Sequence, residues 1–443
     1  MTEPDGAPRV CLVGKYPPIQ GGISGQTYVA AQLLASRGHR VDVVTNAREV
    51  EPGFRQLVLP ADERRLAAPA PPGAVRVHAT QELPEGAYVP WANPYLSKLL
   101  GLTLAAAEEA SSDALVGWYL EPYGVVAAMA GRITGLPVML IHAGSDVGRL
   151  AEHPDLAGAY RWAIASSDRI QTDPRVILRL TALGAEPDQF VFPGASRLPA
   201  FFWEEAPPLD VREWWPAALE RYRQLADTGA GPQPPGQVVS LDPGVPTVGV
   251  YGKVAEAKGS FDLLAVLSRL AAAGARFNLL AAVGGHAHDL SRFLDRVWSD
   301  DDLRERSVVL PFLPPWRVPE LLAACDVACC LERRFPISFH SSRVPIEIAT
   351  SGTCLVCSSE VVAPHAGDGA FAHGETCIEV KDPVDHDELA HALGWALDNL
   401  DEARAIGARA RSVERDLQAS FPSESSIADA IADWLGERVS ARA

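Results

Sequence analysis

No stretch of about 18 apolar residues occurs in this sequence, so no segment reads as a membrane-spanning helix. Residues 1–8 are polar and acidic and lack the basic and apolar regions of a secretory signal. A soluble, cytoplasmic protein is therefore expected, with no membrane partner. Positive charge is also scarce. Against 56 acidic side chains stand 39 basic ones, a formal net charge of -17 with no basic run, which repels a phosphate backbone and excludes nucleic acid as the expected partner. The seven cysteines, Cys11, Cys325, Cys329, Cys330, Cys354, Cys357 and Cys377, are odd in number and scattered, so they do not make a secreted disulfide framework. Cys354-Leu-Val-Cys357 has a redox or zinc spacing, but its apolar context reads as a buried strand. Asp300-Asp301-Asp302 reads as solvated surface, and no metal site is expected. Gly-x-Gly-x-x-Gly is missing as well, and the loop Lys15 to Gln20 is too long for that fingerprint, which argues against a dinucleotide-dependent oxidoreductase.

What the sequence does contain is length and alternation. Its 443 residues, 47% hydrophobic, exceed what one core usually supports, so two domains are expected. The apolar run Val10 to Val13 is followed by "PPIQGGISGQTY", a helix capped by Ser24, and the strand Val41 to Thr45, which together make a βαβ unit. Strand–helix alternation recurs through Ala114–Leu120, Tyr123–Thr134, Pro137–His142 and Arg169–Thr172 to Phe190–Phe192. It breaks at the Trp- and Pro-rich segment 201–244 and resumes from Thr247. This predicts an α/β fold of two doubly wound Rossmann-like domains facing an interdomain cleft. The expected boundaries are 1–200, an insertion and linker at 201–244, 245–398, and C-terminal helices at 399–443 packing back on the first domain.

Several stretches carry chemistry. Gly21, Gly22 and Gly25 leave main-chain N–H groups open to a phosphate or sugar beside a helix start. "GKVAEAKG" at 252–259 places Lys253 and Lys258 on the connection into a helix, where two cations suit a diphosphate and a merely solvated loop is the alternative. In "SSRVPIEIATSGT" at 341–353, Glu347 falls in the first turn of a helix that starts near Pro345. There it either complements the helix dipole or accepts two ribose hydroxyls.

In this order the glycine loop, "LIHAGSD" at 140–146, "GKVAEAKG" and "VPIEIATSGTCLV" at 344–356 resemble the retaining GT-B glycosyltransferases of the glycogen-synthase and sucrose-synthase-like group, family 4-like, over about residues 9–398. The resemblance implies that Lys253 and Lys258 hold the donor diphosphate, that Glu347 holds the ribose, and that His142 lies beside the donor sugar. Gly21, Gly22, Gly252, Phe312, Leu313, His340, Ser341, Ser342, Arg343 and Val344 complete the implied donor site. The group's first glutamate, eight positions before the second, is replaced by Phe339, which leaves the sugar end of the site atypical. Acceptor candidates are Trp91, Asn93, Tyr95, Tyr119 and Glu121, because aromatic faces and amides bind polyols, with ordinary loop packing as the alternative. Residues 1–200 carry 17 basic and 20 acidic side chains, so a small soluble acceptor is expected rather than a lipid-linked one.

The expected activity is metal-independent, retaining transfer from a UDP- or GDP-type sugar donor, with no cofactor and no side-chain nucleophile. An unusual donor sugar and specialised-metabolite biosynthesis fit the atypical loop and the Ala-, Arg- and Pro-rich composition. The alternative is a catalytically altered GT-B protein, either a sugar-nucleotide epimerase or a nucleotide-sugar-binding partner.

Overall fold

The structure is a computed structural model that describes residues 7–67, 72–83, 93–195, 197–236, 241–337, 342–365, 367, 369–421, 423 and 425–442. It divides into two compact units. Unit 1 comprises Met1–Glu51, Pro60–Arg197 and Pro422–Ala443, and unit 2 comprises Pro52–Leu59 and Leu198–Phe421.

Unit 1 is built on a seven-stranded parallel sheet in the order β3-β2-β1-β4-β5-β6-β7. Its strands are β1 (Arg9–Gly14), β2 (Arg40–Thr45), β3 (Ala74–Ala79), β4 (Ala114–Trp118), β5 (Val138–Ile141), β6 (Arg169–Gln171) and β7 (Phe190–Val191). The central strands β4 and β5 are apolar along their whole length and β1 is apolar beyond Arg9 because helices cover both faces, and Val10, Leu12, Val116 and Met139 are fully enclosed. The helix Ser426–Arg442 returns to this unit. Its Ala428, Ile431, Trp434 and Leu435 join the core formed by Val10, Leu12 and Ala31, the spacing of one helical face.

The helix after β1 spans Gly22–Ser36 and is preceded by Gly21, whose φ of 127° favours glycine. Ser24, expected as the cap, instead lies inside the first turn, where its hydroxyl is buried without a partner among the described residues.

Unit 2 carries a six-stranded parallel sheet in the order β10-β9-β8-β11-β12-β13. These are β8 (Thr247–Lys253), β9 (Asn278–Gly284), β10 (Ser307–Leu310), β11 (Val327–Cys330), β12 (Cys354–Ser358) and β13 (Ile378–Val380). Lys253 ends β8 rather than lying in the following connection, because β8 keeps pairing with β9 as far as Lys253–Gly284.

The segment expected as insertion and linker contributes the helix Val211–Asp227 to this unit. Trp214, Trp215, Ala218 and Tyr222 bury one face of that helix in the core of unit 2. On its other side, Arg221 donates to the carbonyls of Arg55, at 2.7 Å, and Gln56, at 3.3 Å.

Residues 52–59 thus form a strap on unit 2. Gly285 N donates to Gly53 O at 2.8 Å, and Leu57 N donates to Phe312 O at 2.6 Å. A Cβ on Gly53 would stand 2.4 Å from Gly285 O, so this approach of two backbones requires glycine.

Cys354 and Cys357 lie in β12, as the apolar context implies, and burial pushes the thiols of Cys330 and Cys354 up to about 12. The cysteines of the chain are free thiols rather than disulfides. No helix among the described residues is long and apolar enough to cross a membrane.

Candidate functional site

In each sheet the strand order reverses at one place, between β1 and β4 in unit 1 and between β8 and β11 in unit 2. Ligands of open α/β sheets bind outside the carboxyl ends of the strands at such points.

In unit 2 this place gathers Tyr251 and Lys253 from β8, Lys258 from the turn after it, Glu332 from just beyond β11, and Glu347 from the first turn of the helix Val344–Ser351. Tyr251 OH donates to Glu347 Oε2 at 2.6 Å and lies 3.4 Å from Val344 O. Burial raises the Glu347 carboxyl above its usual range, while the Tyr251 hydroxyl and the Arg343 guanidinium pull it back. Burial also lowers Arg343, with Glu347 opposing.

The Lys258 ammonium is ion-paired with Glu332, which is buried, and lies 4.5 Å from the centre of the Phe335 ring. Lys253 sits 5.4 Å from the ring centre of Phe54, on the strap, and Phe54 meets His286 edge-on at 5.1 Å. The two lysines and Glu347 therefore share the carboxyl end of one sheet.

The other implied donor residues fall into three groups. Gly252 lies in β8, and Ser342, Arg343 and Val344 lead into the helix that carries Glu347. Phe312 and Leu313 have buried side chains, and the Phe312 carbonyl is bonded to the strap, so these two residues offer backbone rather than side chain. His340, Ser341 and the atypical Phe339 lie outside the described residues.

At the switch point of unit 1, Lys15 lies 3.7 Å from the ring centre of Tyr119, whose hydroxyl is 2.9 Å from Ser145 Oγ. The Tyr119 ring is nearly enclosed, and the Lys15 ammonium covers one face. His142 Nε2 lies 2.8 Å from Thr172 Oγ1. Gly22 is the first residue of its helix, and a Cβ there would find nothing within 4 Å.

Asn93, Tyr95 and Glu121 line one cavity of about 350 Å³ together with Asn46, Ser97 and Pro122. Trp91 lies outside the described residues. Asp300, Asp301 and Asp302 are engaged locally: Asp300 caps a short helix through Leu303 N, and Asp301 and Asp302 pair with Arg304 and Arg306.

Tyr251, Glu332, Phe54 and Asn46 carry no local sequence signal. Lysine usage does give one. The chain has only five lysines, Lys15, Lys98, Lys253, Lys258 and Lys381, and the first four all lie near these two places.

Residues 237–413 match the family described as Glycosyl transferases group 1. The match covers all six strands of the unit 2 sheet together with Lys253 and Lys258.

Among solved structures, the chain is similar to sucrose-phosphate synthase from Thermosynechococcus elongatus, with 15% identity, 98% of this chain and 100% of that chain covered, and a TM-score of 0.61. It is similar to HepE of Anabaena, solved with UDP and glucose, at 15% identity, 96% and 99% coverage and a TM-score of 0.60. The catalytic domain of starch synthase IV from Arabidopsis thaliana, bound to ADP and acarbose, matches at 12% identity, 98% and 100% coverage and a TM-score of 0.58. The shared architecture is the GT-B fold, two Rossmann-like halves with a helical C-terminus. No curated protein matches the sequence.

Proposed function

We propose that the protein transfers a sugar from a nucleoside diphosphate to a small soluble acceptor, with retention of configuration and without a metal ion. The observation that carries this reading is the grouping of Lys253, Lys258 and the Tyr251-bonded Glu347 at the switch point of the unit 2 sheet. A carboxylate there accepts two vicinal hydroxyls, as a ribose presents them. Its remaining lone pairs suffice, since the Tyr251 hydroxyl uses one of about four.

The two ammonium groups act where negative charge develops. As the bond between the anomeric carbon and the diphosphate oxygen lengthens, Lys253 and Lys258 stabilise the leaving group, which is the work a divalent cation does in other transferases. Glu332 holds Lys258 in one orientation. In retaining enzymes of the group resembled, the departing phosphate takes the acceptor's proton as the acceptor attacks from the same face, so no side-chain nucleophile is assigned. The similarity to proteins solved with UDP and glucose or with ADP supports a nucleotide-linked donor for this chain as well.

The test is a titration with UDP, GDP and ADP, followed by incubation with sugar donors and mass spectrometry of the products. Binding of one diphosphate with release of a glycosylated acceptor is the expected result. A protein that binds none of the three, or binds one and only isomerises its sugar, refutes the proposal.

A further inference from the structure

The 350 Å³ cavity of unit 1 is small for a ligand site, sized for a single ring rather than a chain of sugars. Its polar groups are unbalanced. Asn46 is buried, and its Oδ1 accepts from Tyr123 OH at 2.6 Å, which turns its amide N–H groups to other partners. Asn93 Nδ2 donates to Glu49 Oε1 at 3.3 Å, while Asn93 Oδ1 is buried with no partner among the described residues.

Glu121 is half-buried, and burial raises its carboxyl, with the neighbouring Tyr160 phenol acting in the opposite sense. No lysine, arginine or histidine pairs with Glu121 among the described residues. Lys98, next in sequence to the lining residue Ser97, spends its ammonium on the Glu49 carboxylate and on Gln81 O at 2.9 Å.

The cavity thus presents one acceptor with no donor, Asn93 Oδ1, and one carboxylate, Glu121, that keeps acceptor capacity beyond the Tyr160 phenol beside it. Leaving such a group buried and unmet is unfavourable, and a ligand rich in O–H and N–H groups relieves it. A carboxylate without a cation nearby attracts a positive ligand and repels a negative one.

We propose that this cavity binds the acceptor and that the acceptor is an amine-bearing polyol ring, its ammonium on Glu121 and a hydroxyl on Asn93 Oδ1. The assignment of the ligand as acceptor rests on the glycosyl-transfer reading above. Amino sugars and aminocyclitols share this chemistry, whereas phosphorylated sugars and uronic acids do not.

The test compares three probes that differ in one group, D-glucosamine, D-glucose and D-glucose 6-phosphate, by ligand-observed NMR titration of the full chain without donor. Glucosamine is expected to bind about tenfold more tightly than glucose, the gain of one charge-assisted contact, and glucose 6-phosphate most weakly. Glu121→Gln should remove the preference for glucosamine over glucose. Ser97→Lys, at an exposed lining position that does not burden the fold, should also lower glucosamine binding by placing an ammonium in the cavity.

Equal affinity for glucosamine and glucose overturns the proposal, as does tightest binding of the phosphate, or a preference that persists in both variants. Titrating the same samples with UDP, GDP and ADP separates the two ideas. A protein that binds none of them but prefers glucosamine refutes glycosyl transfer and supports the ligand class, whereas nucleotide binding without amine preference does the reverse.

Discussion

Tyr251→Phe removes one hydroxyl from the centre of the proposed donor site and nothing else. That hydroxyl donates to Glu347 at 2.6 Å, and a hydrogen bond to a charged group contributes about 1.5–3 kcal/mol. With Glu347 ionised, the variant should lose about 2 kcal/mol, which lowers the melting temperature of a unit of this size by about 4–8 °C.

The loss must depend on pH. Burial raises the folded-state pKa of Glu347, so the stability linked to its proton is fully present below the unfolded value of about 4.3 and is lost as pH rises through the folded value. Without the Tyr251 hydroxyl the folded value rises further and that loss grows. The difference in melting temperature between the two proteins should therefore be small near pH 4 and reach its plateau above the folded pKa.

Nucleotide binding moves the other way. It needs the ionised carboxylate, so affinity falls as pH drops, and it should begin to fall at a higher pH in the variant. Melting curves and calorimetric titrations with UDP, GDP or ADP across pH 4 to 8 check both. A pH-independent difference in melting temperature, with an unshifted affinity profile, would refute the coupling of Tyr251 to Glu347.

Lys258→Ala should lower turnover by roughly two to three orders of magnitude, the scale of losing one preorganised electrostatic donor, and should also destabilise the fold by removing the ion-pair partner of the buried Glu332. Adding Glu332→Gln should restore the melting temperature but not turnover, and recovery of both would reduce the lysine to a structural role. Gly22→Val should fold normally, since a Cβ meets nothing there, yet abolish transfer measured by product analysis. Near-normal kinetics in that variant would show that the glycines serve the turn alone. Activity should survive exhaustive treatment with EDTA, because the charges on the leaving group are met by lysines, and loss restored only by manganese or magnesium would contradict this.

The strands enclosed on both faces were readable because burial on two sides forces continuous apolar runs, as in Val10–Val13 and Cys354–Cys357. The edge strand β3 was not readable, since Arg76 and His78 interrupt its apolar residues where one side meets solvent. Lys253 and Glu347 were legible as chemistry through their place relative to a strand and a helix start. Tyr251 and Glu332 were not, because what matters in them is a partner 96 and 74 positions away in sequence. The strap at 52–59 was not readable either, as its main-chain bonds leave no record in the sequence and Gly53, Leu57 and Leu59 gain their meaning only from distant partners on unit 2.

Unit 1 takes its last core helix from beyond residue 421, and unit 2 takes its strap from before residue 60, so neither unit is a contiguous stretch of chain. During synthesis, Val10 and Leu12 emerge from the ribosome more than 400 residues ahead of Ile431, Trp434 and Leu435, which share their core. The first half of the chain cannot complete its packing as it is made and must hold an open apolar face until residues 428–435 have been synthesised. Leu57 and Leu59 wait likewise for the second sheet. Fragments cut near residue 200 would therefore expose core surface in both pieces and aggregate when made alone, and exchanging such halves between proteins of this fold would carry a foreign strap onto each unit 2 sheet.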